Sequence, residues 1–288
     1  MGKFVCSLIL LLGVQFHARG VEIDLALRGE TGIVSVIWHT LRFGEETAGN
    51  DLFNYREQGG QEVLFPFFRA TAEILVADRH EVEFLFQPLT FETRTRIPVN
   101  KTITIDGVEF AGPGTGADGD GTPLDLVYGF DFWRGTYRYR AIDSGRGSLS
   151  FGAGLQLRNA RISFETADGE QRVISQDLGP VPVLSSSGRR TLGNSEAFIE
   201  GSVEGFYAPI RYLNLRDVDV IGWLYDAAVR VGVPTGQGSE AFLGIRALGG
   251  GADGTGREPS VWTVTQTEPR YTWNNLNLVA LTLGARLR

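Results

Sequence analysis

Ser148 to Arg158 reads SLSFGAGLQLR, with Leu149, Phe151, Ala153, Leu155 and Leu157 alternating with Ser148, Ser150, Gly152, Gly154, Gln156 and Arg158. Successive side chains of a strand face opposite sides, so this period of two gives one oily face and one small or polar face. The pattern recurs in at least four other segments. Within Val218 to Val233, Ile221, Trp223, Tyr225, Ala227, Val229 and Val231 share one side, and Gly222, Asp226, Ala228 and Arg230 the other. Further on, Val279, Leu281, Leu283, Ala285 and Leu287 alternate with Thr282, Gly284 and Arg286.

Working outward from these segments gives ten predicted strands: within Val21–Arg42, Gln61–Val76, His80–Arg96, Pro123–Ala141, Ser148–Glu165, Arg172–Ser186, Ser195–Ala208, Val218–Val233, Glu240–Leu248 and Trp273–Leu287. Eight or twelve strands are the alternatives, because the first and sixth segments alternate least cleanly. Tight turns at Ala77–Arg79, Asp143–Gly147 and Pro234–Gly238 contrast with long connections at Gly44–Gly60, Pro98–Thr122 and Gly249–Thr272.

The chain opens with a secretory pattern. Lys3 supplies a positive start, Phe4 to Val14 (FVCSLILLLGV) an apolar run, and Ala18-Arg19-Gly20 a small-x-small cleavage site. An uncleaved anchor helix is the competing reading, but this run falls short of the length that spans about 30 Å of hydrocarbon. The expected organisation is a cleaved signal peptide over residues 1–20 and a single domain over 21–288. Cys6 falls in the signal, so the mature part has no cysteine for disulfides or thiol chemistry.

Exported strands with one oily face point to a closed antiparallel up-and-down transmembrane β-barrel in the outer membrane of a Gram-negative cell. The most apolar later stretch, Val218 to Val233, is interrupted by Asp219, Asp226 and Arg230, which argues against a transmembrane helix. A barrel is the other fold that satisfies every backbone group in lipid. Short turns would then lie in the periplasm and long loops outside. Phe65, Phe67 and Phe68, Tyr137 and Tyr139, and Trp262, Tyr271 and Trp273 would form aromatic girdles, or the core of a soluble β-sandwich in the alternative fold.

Loss of Lys3 and Arg19 takes 27 basic residues to 25 against 34 acidic ones, a net of −9. That balance argues against a nucleic-acid partner, whose binding needs a basic surface. Lys101 is the single lysine left, so the positive charge is carried by arginine. Guanidinium groups pair bidentately with carboxylates and phosphates, which suits both ion pairs in a lumen and lipopolysaccharide. The expected partners are outer-membrane lipid, lipopolysaccharide and the barrel-assembly machinery, with the chain as a monomer.

The run DLVYGFDFWRGTYRYR, Asp125 to Arg140, followed by GAGLQLRNARISFE, Gly152 to Glu165, resembles a group of small bacterial outer-membrane barrels of unassigned function. Gln87-Pro88-Leu89 and ALGGGAD, Ala247 to Asp253, match it too. In size and strand pattern the chain is more loosely similar to the OmpA and OmpW class. Such barrels commonly end on an aromatic residue, whereas this chain ends Gly284-Ala285-Arg286-Leu287-Arg288. The resemblance implies the architecture and defines no catalytic residue.

The candidate site is a set of inward charges: Arg69, Glu73, Asp131, Arg138, Arg158, Glu200, Glu204, Asp226, Arg230, Arg246 and Arg286, with Glu83, Arg94 and Arg140 beside them. A barrel of this size is just wide enough for side chains to fill it, and charges in that space must be paired. Arg138, Arg158 and Arg230 are each expected to meet a carboxylate of the set Glu200, Glu204 and Asp226. Two outcomes stay open, a salt-bridged plug with a structural role and a narrow conduit or pocket for small polar solutes.

A surface binding or adhesion module acting through the long loops is the alternative function. A lipid-modifying enzyme is the third. His39 in VIWHTL and His80 in ADRHE are the histidines outside the signal, and neither lies in a nucleophile motif. The expectation is therefore no enzyme and no cofactor. The loop Ala111 to Asp125 carries Asp118, Asp120 and Asp125 among glycines. An EF-hand register would put Gly129 where glutamate belongs, and no Gly-Lys-Ser/Thr follows, so neither calcium nor phosphate binding is expected there.

Overall fold

The computed structural model describes residues 22–45, 48–114, 121–193, 195–209, 218–236, 238–256 and 270–288. The proposed signal peptide, Trp262, and Asp118 with Asp120 lie outside the described residues. The strands are β1 (Ile23–Glu45), β2 (Phe53–Asn54), β3 (Leu64–Val76), β4 (His80–Gln87), β5 (Thr90–Ile97), β6 (Thr102–Ile105), β7 (Val108–Ala111), β8 (Thr122–Ser144), β9 (Gly147–Thr166), β10 (Arg172–Thr191), β11 (Phe198–Pro209), β12 (Val218–Gly236), β13 (Ser239–Gly256) and β14 (Arg270–Leu287).

Each long strand pairs antiparallel with its sequence neighbour, and β14 returns to pair with β1 from Leu27↔Leu287 to Glu45↔Arg270. The sheet is thereby closed. β4 and β5 both pair with β8, β4 over Phe132–Tyr139 and β5 over Thr122–Gly129. They act as one strand broken at Gln87-Pro88-Leu89, which gives ten strands round the ring, the number read from the alternation. Pro88 has no N–H for the ladder, so a break there follows from its chemistry. β2 and the separate β6–β7 hairpin are additions that the sequence pattern missed.

Facing follows the period of two. Leu155, Leu157, Val229, Val231, Leu243, Ile245, Leu281 and Leu283 are all exposed on the outer wall. Their chain neighbours Gln156, Arg230, Arg246 and Thr282 are buried in the lumen. An apolar outer wall round buried charged and polar side chains is inverted relative to a soluble sheet protein, and it suits hydrocarbon as the outer solvent.

One irregularity changes the facing. Between Val36↔Leu278 and Trp38↔Asn277 the β1–β14 register shifts, and the bulge flips the phase of β1. Val34 and Val36 point inward before it, and His39, Leu41 and Phe43 after it.

The lumen has two halves. At the end with long connections it holds an apolar core, in which Phe53 and Tyr55 from the β1–β3 connection and Phe110 from β7 pack against Phe67, Phe91, Tyr128 and Phe164. Phe65 and Phe67 were expected in an aromatic girdle; they belong to this core, while Phe68 alone of the three is exposed. The half toward the short turns is charged.

Candidate functional site

Every strand of the ring sends a polar side chain into the charged half. Glu30 on β1 accepts from Arg230 Nη2 at 2.6 Å and from Arg246 Nη2 at 3.1 Å. Asp226 on β12 accepts from Arg69 Nη2 at 2.6 Å and Arg134 Nη1 at 3.2 Å, and pairs with Arg246 on its other oxygen. Arg134 reaches on to Glu204, and its Nε and Nη2 share Gln156 Oε1 at 3.0 and 2.6 Å. Arg69 also donates to Gln87 at 2.7 Å. This layer crosses the lumen from β1 to β8.

A second layer lies nearer the short turns. Arg28 spans Glu73 at 3.1 Å, Glu83 at 3.1 Å and Glu200 at 2.9 Å. Arg138 meets Glu83 at 2.7 Å, Glu81 at 3.3 Å and Glu204 at 3.6 Å, and donates to Ser185 at 3.1 Å. Arg230 joins the layers through Glu200 at 3.0 Å. Arg286 pairs with Glu73 at 2.5 Å, Arg140 with Glu81 at 2.9 Å, and Arg189 with Glu240 at 2.8 Å. Buried charge persists where its partners are also hydrogen-bonded, and shared bidentate guanidinium contacts supply that here.

Of the residues read from the sequence, Arg69, Glu73, Arg138, Glu200, Glu204, Asp226, Arg230, Arg246 and Arg286 come together in this belt. Arg138 and Arg230 meet carboxylates of the expected set. Arg158 is placed elsewhere, in the wall of a cavity above the belt.

Asp131 is a correction. In β8 the even positions Phe132, Arg134, Thr136 and Arg138 are buried inward, so odd-numbered Asp131 belongs to the outer phase. Its carboxylate accepts the Leu89 N–H at 2.7 Å and holds the break between β4 and β5. Arg94 is likewise outside the lumen, exposed and paired with Asp125 at 2.5 Å.

Sequence reasoning missed Arg28, Glu30, Glu81 and Arg134. The signal for them was present, because Leu25 and Leu27 facing out force Arg28 and Glu30 inward.

The histidines are accounted for by their neighbours. His39 is buried in the apolar half, stacked on Tyr55 at a centroid distance of 4.1 Å, with Nδ1 2.7 Å from Gln61 Oε1. His80 is exposed at the β3–β4 turn, with Nδ1 2.9 Å from the Tyr137 hydroxyl.

Above the belt, against β8–β14, lies a cavity of about 610 Å³ lined by Phe132, Leu224, Leu248, Leu276 and Leu278 with Tyr128, Gln156, Arg158 and Asn274.

The fold has a solved counterpart. The outer-membrane protease OmpT of Escherichia coli superposes with a TM-score of 0.53 at 8% identity, over 91% of this chain and 95% of that one. The fold is that of an outer-membrane β-barrel. A FadL homologue of Pseudomonas aeruginosa gives a TM-score of 0.35 at 7% identity, over 92% of this chain and 89% of that one. The Pseudomonas putida toluene transporter TodX gives 0.25 at 9%, over 93% and 89%. No protein-family model matches the chain, and no curated protein sequence matches it.

Proposed function

We propose that the chain is an outer-membrane barrel with a structural role, its lumen shut to ions and polar solutes. The observation that carries this reading is the belt of arginine–carboxylate pairs across the interior, to which nine strands of the ring contribute a charged partner and β9 adds the hydrogen-bonding Gln156 and Ser150. A narrow conduit would leave a file of solvated charge. Here the guanidiniums of Arg69, Arg134, Arg230 and Arg246 are all buried and engaged by carboxylates. The apolar core above the belt is a second seal.

Under this reading the outer wall sits in outer-membrane lipid and lipopolysaccharide, the short turns face the periplasm and the long connections face outward. The barrel is a monomer, delivered by a cleaved signal and folded by the assembly machinery, with no cofactor and no catalytic centre. Kinship with small barrels of the OmpA and OmpW class belongs to the same reading and rests on length and strand pattern. In planar bilayers the refolded wild-type chain should give no sustained conductance above the bare membrane. Steady ohmic channels from the purified protein would replace this reading with a pore.

A further inference from the structure

The outer wall carries a hollow toward the short turns. Two adjoining depressions of about 510 Å³ and about 500 Å³ run from the β8–β9 turn to β13 and meet at Gly188, Gly201 and Val229. Gly188 on β10 stands opposite Gly201 on β11, and Gly201 opposite Val229 on β12. Further along, Ala227 on β12 lies between Val203 on β11 and Ala247 on β13. These positions share the outward phase, since Val203, Val229 and Ile245 beside them are exposed. The hollow thus has a floor of small side chains and banks of branched aliphatic ones.

The ladder does not demand the small floor. Neither Gly188 nor Gly201 has a positive φ. A Cβ built at Gly188 would find its nearest neighbour at 3.4 Å, and one at Gly201 at 3.9 Å, both ordinary van der Waals contacts. At Gly152, by contrast, a Cβ would collide with the Tyr137 carbonyl oxygen. Glycine weakens a strand interior, and one that neither bulges nor bends marks a place that something approaches closely.

One end of the hollow is basic. Arg146 in the β8–β9 turn and Arg190 near the end of β10 both line it and are exposed. They sit side by side, because Arg190 pairs with Gly147 and the Thr191 N–H donates to the Arg146 carbonyl at 2.8 Å. Neither guanidinium makes an ion pair or hydrogen bond with a described residue. Asp143 in the same turn is taken by Arg140 at 3.3 Å, and Arg189 turns into the lumen onto Glu240 at 2.8 Å. No described carboxylate lines the hollow, Glu196 on the β10–β11 connection included.

We propose that this hollow binds one anionic glycerophospholipid of the periplasmic leaflet, its phosphate between Arg146 and Arg190 and an acyl chain along the floor from Gly188 to Ala227. Guanidinium groups match phosphate bidentately, and basic residues at a membrane surface favour anionic heads over zwitterionic ones. A second copy of the chain fits less well. A two-fold axis along the membrane normal would hold the arginines of both protomers at one depth and set them against each other. The choice of leaflet rests on the reading of the short turns as periplasmic.

The test is native mass spectrometry of the refolded mature chain, released from micelles carrying phosphatidylglycerol or phosphatidylethanolamine with the same acyl chains. The expected result is one phosphatidylglycerol retained per barrel in preference to phosphatidylethanolamine. Retention should weaken about fivefold with Arg146→Gln or with Arg190→Gln. Gly201→Leu, which fills the floor and leaves the charge, should weaken it as well, whereas Arg172→Gln at the opposite rim should not. Equal retention of the two lipids, or retention unchanged by both arginine substitutions, would overturn the site while the heat-modifiable gel mobility of the barrel stands. Undiminished retention in Gly201→Leu would overturn the acyl-chain groove. A chain without heat-modifiable mobility in these micelles would overturn the membrane reading and the site together.

Discussion

Asp226→Asn should lower the unfolding free energy of the barrel by about 3–5 kcal/mol, the cost of leaving buried charge uncompensated. Asp226 is 3% exposed and accepts from Arg69, Arg134 and Arg246 at once. An asparagine has similar shape, so the loss reports charge rather than volume. Removing Arg246 as well, as Asp226→Asn with Arg246→Met, should cost less than the sum of the single changes because the orphaned cation goes with its partner. Denaturant titration in liposomes, following near-ultraviolet or gel-mobility signals, reads both numbers. Additive effects would show that the two side chains do not act as a pair.

Ile245→Arg should destabilise by about 2–4 kcal/mol if the position lies near the bilayer midplane. Ile245 is 61% exposed on the outer wall and lies mid-strand in β13, in register with Val229 on β12 and Leu281 on β14. Arginine there must take its charge into hydrocarbon or bend the bilayer toward it. Ile245→Leu in the same host should be close to neutral. Equal tolerance of arginine and leucine, measured by the same titration, would mean that this face is not lipid-facing.

Both effects turn on facing, and facing was the part of the structure most legible in the sequence. A period of two assigns every residue of a regular strand once one is assigned, as for Leu155, Val229 and Leu281. The same rule, applied to β8, shows that Asp131 and Arg138 cannot share a face, since they are an odd number of residues apart. Arg134, an even number from Arg138, belongs inward. The bulge at Val36/Trp38 is different, because an inserted residue reverses the phase and leaves no local mark in the alternation.

Partner choice within the belt was not legible. Glu30 meets Arg230 and Arg246 about two hundred positions away in the chain, a contact created by the β14–β1 closure. Alternation along single strands carries no information on which opposite walls face each other. The apolar seal was hidden for another reason: Phe53, Tyr55 and Phe110 lie in connections whose glycines and charges read as solvent-exposed loop.

The most direct test of a closed membrane barrel is to refold the mature chain into liposomes and compare its gel mobility unheated and boiled, alongside fractionation of cells expressing the full chain. The account predicts faster migration of the unheated form and recovery with the outer membrane. Recovery as a soluble periplasmic protein with a single mobility would contradict it.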